Sequence, residues 1–305
     1  MSKDREEMRF EKAVVDVLKP ILELKDPTIT DIIINSNDTA FVYYADGRRE
    51  EHKELLMSAD DIDFLSGMLA YSLQTDASAK SPVVSASWGD PPMRIEILLS
   101  PIVKSPCLTF RKTRGASASL SDLLAAKMMT KEQFDTLRGY VLSRKNIIIS
   151  GETGSGKTTL ANALLNEIPE DERLFIIEDT PELRAKVRNK VEVTTSTFFP
   201  AQTAVREALR SMPDRIIVGE VRDGAALDLL KAWNTGHSGG IGTIHANSAS
   251  SVKLRLSTLI LEVSASPLDR LIDEAVDVII QVAITRKGRR ITEILDFTEK
   301  GNTNG

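Results

Sequence analysis

The sequence predicts an α/β protein of two domains, in which a small α+β domain precedes a larger domain built on a mostly parallel sheet. The chain has 305 residues, which suits two domains of about 150 residues each. Beyond residue 120, continuous apolar and β-branched runs alternate with helical patterns, as expected for a parallel sheet covered on both faces. Hydrophobic residues make up 42% of the chain and charged residues 27%, a composition typical of folded domains.

Residues 1–112 are predicted to form the α+β domain. Apolar residues recur at helical spacing over 6–25, where Pro20 predicts a kink or a break. Ser58 is a favourable N-cap for a second helix at 62–73. Strands are predicted at 29–35, 40–44, 83–88, 94–99 and 107–111.

A small, polar stretch without periodicity marks the predicted domain boundary. We place a linker at 113–120 and the second domain at 121–305. The second domain has predicted helices at 131–143, 158–166, 203–211 and 225–233, and strands at 147–150, 174–178 and 216–219. A terminal hairpin is predicted from 276–284 and 290–297.

The clearest motif is Gly151-Glu-Thr-Gly-Ser-Gly-Lys-Thr158, a complete G-x-x-x-x-G-K-[ST] match between an apolar strand and a predicted helix. Glycines let the backbone wrap phosphate oxygens, and a helix N-terminus presents N–H groups to negative charge. We therefore predict that Lys157 contacts the β- and γ-phosphates and that the Thr158 hydroxyl holds Mg²⁺. The other predicted nucleotide-binding residues of the loop are Gly151, Glu152, Thr153, Gly154, Ser155 and Gly156.

Acidic residues are predicted at two strand ends near the phosphates. Glu220 follows an apolar run, and Glu178 ends another, with Asp179 and Glu182 after it. Ligand sites in α/β sheets form at the carboxyl ends of strands, so Glu220 is expected to hold a Mg²⁺-bound water or to orient the attacking water. Glu178 and its neighbours are candidate water activators. The alternatives are a surface glutamate at 220 and an ordinary helix cap at 178.

Residues 235–248 hold two of the three histidines and four of the 17 glycines. The glycines predict a close backbone approach, and His237 and His245 are donors suited to a phosphate oxygen. Their spacing matches no usual zinc pattern, so a metal role for these histidines is not favoured.

Composition disfavours several classes of protein. A net charge of −5 and 5% aromatic residues give no strong signal for an extended nucleic-acid surface. The single cysteine, Cys107, cannot form an internal disulfide, and no apolar run approaches the roughly 20 residues of a membrane span. We expect a cytoplasmic protein with only peripheral membrane contact. A guanine-reading Asn/Thr-Lys-x-Asp motif is missing from the sequence, which disfavours a GTPase.

Taken in order, these segments resemble the secretion or traffic ATPases, the hexameric motors of type II secretion, type IV pili and type IV secretion. The matching segments are residues 151–159 to the Walker A motif, 178–182 to the Asp box, 209–222 to the Walker B region and 235–248 to the His box. The run 226–245 is especially similar to the Trb-type conjugal-transfer ATPases of the type IV secretion branch. Parts of 30–112 are similar to the family's N-terminal domain.

The resemblance implies a RecA-like ATPase domain, a ring of six subunits, and ATP with Mg²⁺ held between the two domains and a neighbouring subunit. It adds Thr159 to the nucleotide-binding residues, makes Thr158, Glu178 and Glu220 the Mg²⁺ set, with the carboxylates acting through water, and gives His245 a γ-phosphate sensor role. Catalysis then needs an arginine from another domain or subunit. Arg111 is the preferred candidate, ahead of Arg94, Arg114, Arg210 and Arg222.

Our hypothesis is Mg²⁺-dependent ATP hydrolysis by a homohexamer. It would drive pilus assembly or substrate transfer with other type IV secretion components at the cytoplasmic face of the inner membrane. Three alternatives stay open: a nucleotide-gated assembly scaffold with little turnover, a RecA-like motor that translocates DNA, and a small-molecule phosphotransferase.

Overall fold

The computed structural model describes residues 3–36, 39–89, 93–112, 118–196 and 198–297. The chain divides into two compact units, Met1–Gly115 and Ala116–Gly305. Most of the predicted linker, 113–117, lies outside the described residues. Its last residues are structured, because Ser119 caps a helix that begins at Leu120 and forms a capping box with Asp122.

The first unit is an antiparallel sheet with two helices. Its elements are α1 (Lys3–Leu22), β1 (Ile29–Ser36), β2 (Thr39–Tyr44), β3 (Arg49–Glu51), α2 (Ala59–Ser72), β4 (Val83–Trp88), β5 (Met93–Leu98) and β6 (Cys107–Lys112). The strands lie in the order β3-β2-β1-β6-β5-β4. Alternate strand residues are buried against apolar residues of both helices, as the strand period of two requires.

Two details of this unit follow from local sequence. Ser58 and Asp61 form the capping box that begins α2. Pro20 does not break α1 early, because the helix continues to Leu22 and the proline lies in its last turn.

The second unit contains a seven-stranded sheet and seven helices among its described residues. The elements are α3 (Leu120–Ala125), α4 (Lys131–Leu142), β7 (Ile147–Ser150), α5 (Lys157–Leu165), β8 (Leu174–Glu178), β9 (Lys190–Thr194), α6 (Ala201–Ala208), β10 (Arg215–Val218), α7 (Ala225–Asn234), β11 (Ile241–Ile244), α8 (Val252–Ile260), α9 (Asp269–Ala275), β12 (Val278–Thr285) and β13 (Gly288–Asp296).

This sheet confirms the prediction of an α/β unit. Its order is β13-β12-β7-β11-β10-β8-β9, and every neighbouring pair is parallel except β12 and β13, which form the terminal hairpin. The central strands β7, β8, β10 and β11 are buried along their whole length. One apolar core packs under α3, α4 and α5, and a second under α6 to α9, so both faces are covered.

The parallel order brings the ends of β7, β8, β10 and β11 to one edge of the sheet, which we call the carboxyl edge. The opposite, amino edge carries the residues that precede these strands. Four residues of strand separate the two edges by about 13 Å. No helix in the described part of the chain is both long and apolar enough to cross a bilayer.

Candidate active site

The loop between β7 and α5 is shaped by glycines and by one buried hydroxyl. A Cβ on Gly151 would lie 2.2 Å from the Val282 carbonyl oxygen, so only glycine fits there. The Ser155 Oγ is fully buried and has no hydrogen-bond partner among the described residues. A buried, unpartnered hydroxyl in a glycine loop is the expected state of a phosphate site that awaits its ligand.

Lys157 is the first residue of α5 and is 8% exposed. Its ammonium donates to the carbonyl oxygens of Gly151 and Glu152, both at 2.9 Å, and lies 3.4 Å from His245 Nδ1. Burial lowers the pKa of Lys157, while the nearby Glu220 carboxylate opposes that effect. The side chain is therefore held inside the loop by weak backbone acceptors, which a phosphate oxygen can replace.

His245 and Glu220 meet beside this lysine. His245 follows β11, Glu220 lies two residues beyond β10, and His245 Nε2 is 3.2 Å from Glu220 Oε1. Burial, followed by the charge of Lys157, lowers the pKa of His245, so its imidazole is neutral at pH 7. The contacts then fit the tautomer in which Nδ1 faces the lysine and Nε2–H donates to the glutamate.

Arg222 extends this contact chain. Its Nη2 donates to Glu220 Oε2 at 2.7 Å, and its Nη1 lies 3.0 Å from Asp179 Oδ2. Burial tends to raise the pKa of Glu220, but the Arg222 hydrogen bond and the positive charges nearby hold it below its ordinary value. Lys157, Asp179, Glu220, Arg222 and His245 form what we call the carboxyl-edge cluster.

Glu178 lies at the same edge but makes different contacts. It is 8% exposed, and its Oε1 accepts from the backbone N–H groups of Glu182 and Leu183 at 3.0 and 2.9 Å. Burial raises its pKa to about 7 in spite of those two donors. Glu178 therefore closes the turn 179–183, which carries the Arg222 partner Asp179.

The remaining loop residues lie at the start of α5. Thr158 is half-buried and Thr159 is exposed. In the described ranges, no hydrogen bond involves the Thr158 hydroxyl. Further along α5, Asn162 donates to the Glu182 carbonyl at 3.0 Å and accepts from Arg184 N at 2.5 Å, which joins the phosphate-loop helix to the turn after Glu178.

The structure corrects the expectation for His237. This histidine precedes β11 at the amino edge, where its Nδ1 is 3.0 Å from the Pro213 carbonyl oxygen. The four residues of β11 therefore separate it from His245, and the two histidines do not share a phosphate. Glycine density suggested one binding segment, but the segment runs through a central strand, so its two ends serve opposite edges.

The amino edge has its own buried charges. Arg215 is fully buried and makes a bidentate pair with Glu172, at 2.6 and 2.7 Å. It also donates to the carbonyl oxygens of Val141 and Gly239. Arg144 Nη1 lies 3.1 Å from the same Glu172. We call Arg144, Glu172 and Arg215 the amino-edge cluster.

The candidate trans-acting arginines occupy different places. Arg111 is half-exposed near the end of β6 and pairs with Asp31 at 2.7 Å, within the first unit. Arg94 faces Arg111 across β5 and β6. Arg210 is exposed and pairs with Glu207, and Arg114 lies outside the described residues.

Two residues near the loop had no predicted role. Gln281 in β12 is 5% exposed, accepts from Ser150 Oγ at 2.5 Å and contacts the Ala246 carbonyl at 3.4 Å, so it joins the end of β7 to the residue after His245. Arg289 in β13 donates to the Gly154 carbonyl at 2.8 Å. A lone amide in an apolar strand and a basic hairpin tip were the available sequence signals.

Comparison with known proteins places the chain in a family. The model of the family described as Type II/IV secretion system protein matches residues 88–298, more than half of the chain. The chain belongs to this family.

Relatives with known names agree. The conjugal transfer protein TrbB of Rhizobium radiobacter is 41% identical over 278 residues, covering 89% of this chain and 84% of the relative. The type IV secretion system protein VirB11 of Bartonella henselae is 31% identical and covers 92% of each chain. The resemblance to Trb-type and type IV secretion ATPases is thus confirmed.

Solved structures give the same answer for the fold. The VirB11 ATPase of the Brucella suis type IV secretion system, in complex with sulphate, is 30% identical with a TM-score of 0.52 and covers 95% of this chain and 96% of that one. The pilus retraction motor PilT, solved with ADP, has a TM-score of 0.68 at 23% identity and covers 92% and 82%, a likeness of fold alone.

Proposed function

We propose that the chain is a Mg²⁺-dependent ATPase whose second unit is a RecA-like P-loop domain. The observation that carries the proposal is the meeting of Lys157, His245 and Glu220 at the carboxyl edge of a parallel sheet, directly beside the glycine loop. One cation, one neutral imidazole and one carboxylate then surround the place where a terminal phosphate would lie.

The proposed phosphate binding begins with an exchange of partners at Lys157. The ammonium leaves the Gly151 and Glu152 carbonyl oxygens and binds phosphate oxygens, which form stronger, charge-assisted hydrogen bonds. The loop N–H groups and the unpartnered Ser155 hydroxyl add donors. Thr153, Gly154, Gly156 and Thr159 complete the proposed binding loop.

The proposed hydrolysis uses the groups next to the lysine. Glu220, ionised at neutral pH, orients the attacking water, and the neutral His245 senses the γ-phosphate through its contact with Lys157. Glu178 remains in the proposal as a second water-orienting or activating carboxyl, since a pKa of about 7 suits proton exchange near neutral pH.

The residues present fit Mg²⁺. The half-buried Thr158 hydroxyl and the ionised Glu220 are oxygen ligands of the type this ion prefers, and Glu178 completes the proposed set, the carboxylates acting through water. No group of three or more His, Cys, Asp or Glu side chains in the described chain forms a ready metal cage. This agrees with an ion that takes most of its ligands from phosphates and water. When bound, Mg²⁺ would neutralise charge that develops on the phosphates.

We propose a homohexameric motor of type IV secretion or conjugative transfer, working with other components at the cytoplasmic face of the inner membrane. The names of the relatives, conjugal transfer protein TrbB and type IV secretion system protein VirB11, support this role. Arg111 is the proposed trans-acting arginine, because its half-exposed side chain has one exposed-side partner, Asp31, and is accessible to a neighbour.

Phosphate release from purified protein with ATP tests this proposal, with and without excess chelator, while mass photometry reports the subunit count. We expect turnover that requires Mg²⁺ and accompanies particles of six subunits. A trace rate from intact rings would contradict the proposal and favour the scaffold. Strong, salt-dependent stimulation by DNA would favour the DNA-translocating motor, and turnover only with an added acceptor would favour a phosphotransferase.

A further inference from the structure

A groove beside the phosphate loop has a basic rim and an apolar floor. It lies between the segment 127–130, after α3, and the β12–β13 hairpin, with a volume of about 650 Å³. Small-molecule sites have volumes of about 300–1,000 Å³. Of its eleven lining residues, four are cations and, among the described residues, none is acidic. This is unusual for a chain of net charge −5, and we call it the hairpin groove.

The floor and the rim differ in chemistry. Met128, Met129 and Ile291 form the floor and are at most 6% exposed as residues. Lys127 and Lys287 on the rim are exposed and make no ion pair with any described residue. A flat apolar surface next to uncompensated positive charge suits a ligand with an aromatic part and an anionic part.

Three contacts join this groove to the phosphate loop. Arg289, next to the lining residue Arg290, donates to the Gly154 carbonyl at 2.8 Å. A Cβ on Gly156 would lie 3.3 Å from both the Met128 Cε and the Arg289 Cδ. The Ile291 N–H donates to the Met128 carbonyl at 2.8 Å, which joins the two walls. The groove therefore begins where the loop enters α5.

Strand order sets the direction of a bound nucleotide. On one side of β7 lies β11, followed by β10, and these strands deliver His245 and Glu220; on the other side lie β12 and β13. A terminal phosphate at the carboxyl-edge cluster places the opposite end of the molecule toward β12 and β13. The hairpin groove is the cavity on that side.

We propose that the hairpin groove is the nucleoside subsite of the P-loop, an inference that rests on the proposed function. The base lies on Met128 and Ile291, and the rim cations Lys127 and Arg290 face the ribose and the first phosphate. Because the base contributes contact area rather than a phosphate charge, its binding is separable from that of the triphosphate.

The groove is poorly equipped to read the edge of a base. Thr130 and Gln133 are engaged in the capping box of α4. The Thr285 hydroxyl bonds within the hairpin turn, and the Thr292 hydroxyl donates to the Gln281 carbonyl. Discrimination between bases needs polar groups that are left unpaired by the wrong base. ATP and GTP should therefore bind with affinities within about tenfold of each other.

The test fills the groove and compares ATP with inorganic tripolyphosphate, which lacks a nucleoside. Thr292 is exposed on a strand, so Thr292→Trp should fold, and Lys287→Trp at the hairpin tip is a second filling variant. Thr258→Trp, exposed on α8 outside the groove, is the matched control. Calorimetric titration in the full-length protein measures both ligands, with Lys157→Ala as a reference for the phosphate loop.

We expect both filling variants to weaken ATP at least tenfold and to leave tripolyphosphate within about twofold, while the control changes neither. Unchanged ATP affinity in both filling variants would overturn the subsite, as would equal loss of both ligands or a preference for ATP over GTP above a hundredfold. Normal ATP affinity in Lys157→Ala would instead reject the proposed function itself.

Discussion

The two edges of the seven-stranded sheet both carry opposite charges, but they are built differently. At the amino edge, Arg215 is fully buried, and its guanidinium reaches both Glu172 oxygens and two backbone carbonyls. At the carboxyl edge, Lys157 is held only by loop carbonyls and a neutral His245, and the Ser155 hydroxyl has no partner within the described chain.

This difference separates stability from function along the same strands. Saturated, buried charges hold the amino ends of the strands in one arrangement. The carboxyl edge keeps groups whose present partners are weaker than a phosphate would be, so it can rearrange when a ligand arrives. Substitutions at the two edges should therefore act on different measured quantities.

The largest expected effect is on turnover in Lys157→Ala. Removing the only cation that faces the loop carbonyls should lower the rate of phosphate release at least about 10³-fold, because charge on the transferring phosphate loses its partner. The melting temperature should stay within a few degrees, since the side chain contributes little packing. Lys231→Ala, an exposed lysine on α7, is the control. Full turnover in Lys157→Ala would reject the assigned site.

The next effect is on stability in Arg215→Met. This change leaves Glu172 with only Arg144 as an ion-pair partner, so the free energy of unfolding should fall by about 3–5 kcal/mol. Urea denaturation measures it, and turnover per folded molecule should be unchanged. Arg210→Met, an exposed arginine with one ion pair, should cost less than about 1 kcal/mol. Equal losses in the two variants would remove the distinction between the edges.

A smaller effect should follow pH through Glu178. Its pKa of about 7 in the folded chain lies above its unfolded value, so the folded state holds the proton longer. The wild-type chain should therefore lose up to roughly 3 kcal/mol of stability, relative to Glu178→Gln, as pH rises from 4.5 to 7.

Urea denaturation of both chains across that pH range gives the comparison. The unpaired variant at an exposed position, Glu152→Gln, should run parallel to the wild type. A difference between the wild type and Glu178→Gln that does not change with pH would contradict the raised pKa.

The smallest effect should come from Arg222→Gln. Without this arginine the pKa of Glu220 should rise, since burial then acts with less opposition. The acid limb of the pH–rate profile should move to higher pH, with the maximal rate within about tenfold of wild type. Arg222→Lys should restore part of the shift. An unchanged acid limb would show that Glu220 does not titrate in the reaction.

Much of this fold follows from local pattern. The apolar runs of β7, β8 and β10 and the glycine loop were predictable because a buried parallel strand is continuously apolar. Several elements were not predicted: β3, β9, β11, α3, α8 and α9. They are mostly short, and β9 is an edge strand that carries charges at alternate positions, so neither has the periodicity that pattern reasoning uses.

The site was predictable as a set of groups but not as a set of contacts. Lys157, Glu220 and His245 lie in motifs whose position at strand ends indicates one edge. The partnership of Arg222 with Asp179, the link through Gln281 and the separation of His237 from His245 depend on strand order and register. Those are tertiary properties, and no spacing along the chain encodes them.

The most direct test of the central claim is a structure of the full chain with a non-hydrolysable ATP analogue and Mg²⁺. We predict that a terminal phosphate oxygen lies about 3 Å from Lys157 Nζ, with Glu220 and His245 around it and His237 still on the Pro213 carbonyl. An analogue whose terminal phosphate lies at the amino edge, or a Lys157 ammonium still held by the Gly151 and Glu152 carbonyls beside a bound analogue, would contradict it.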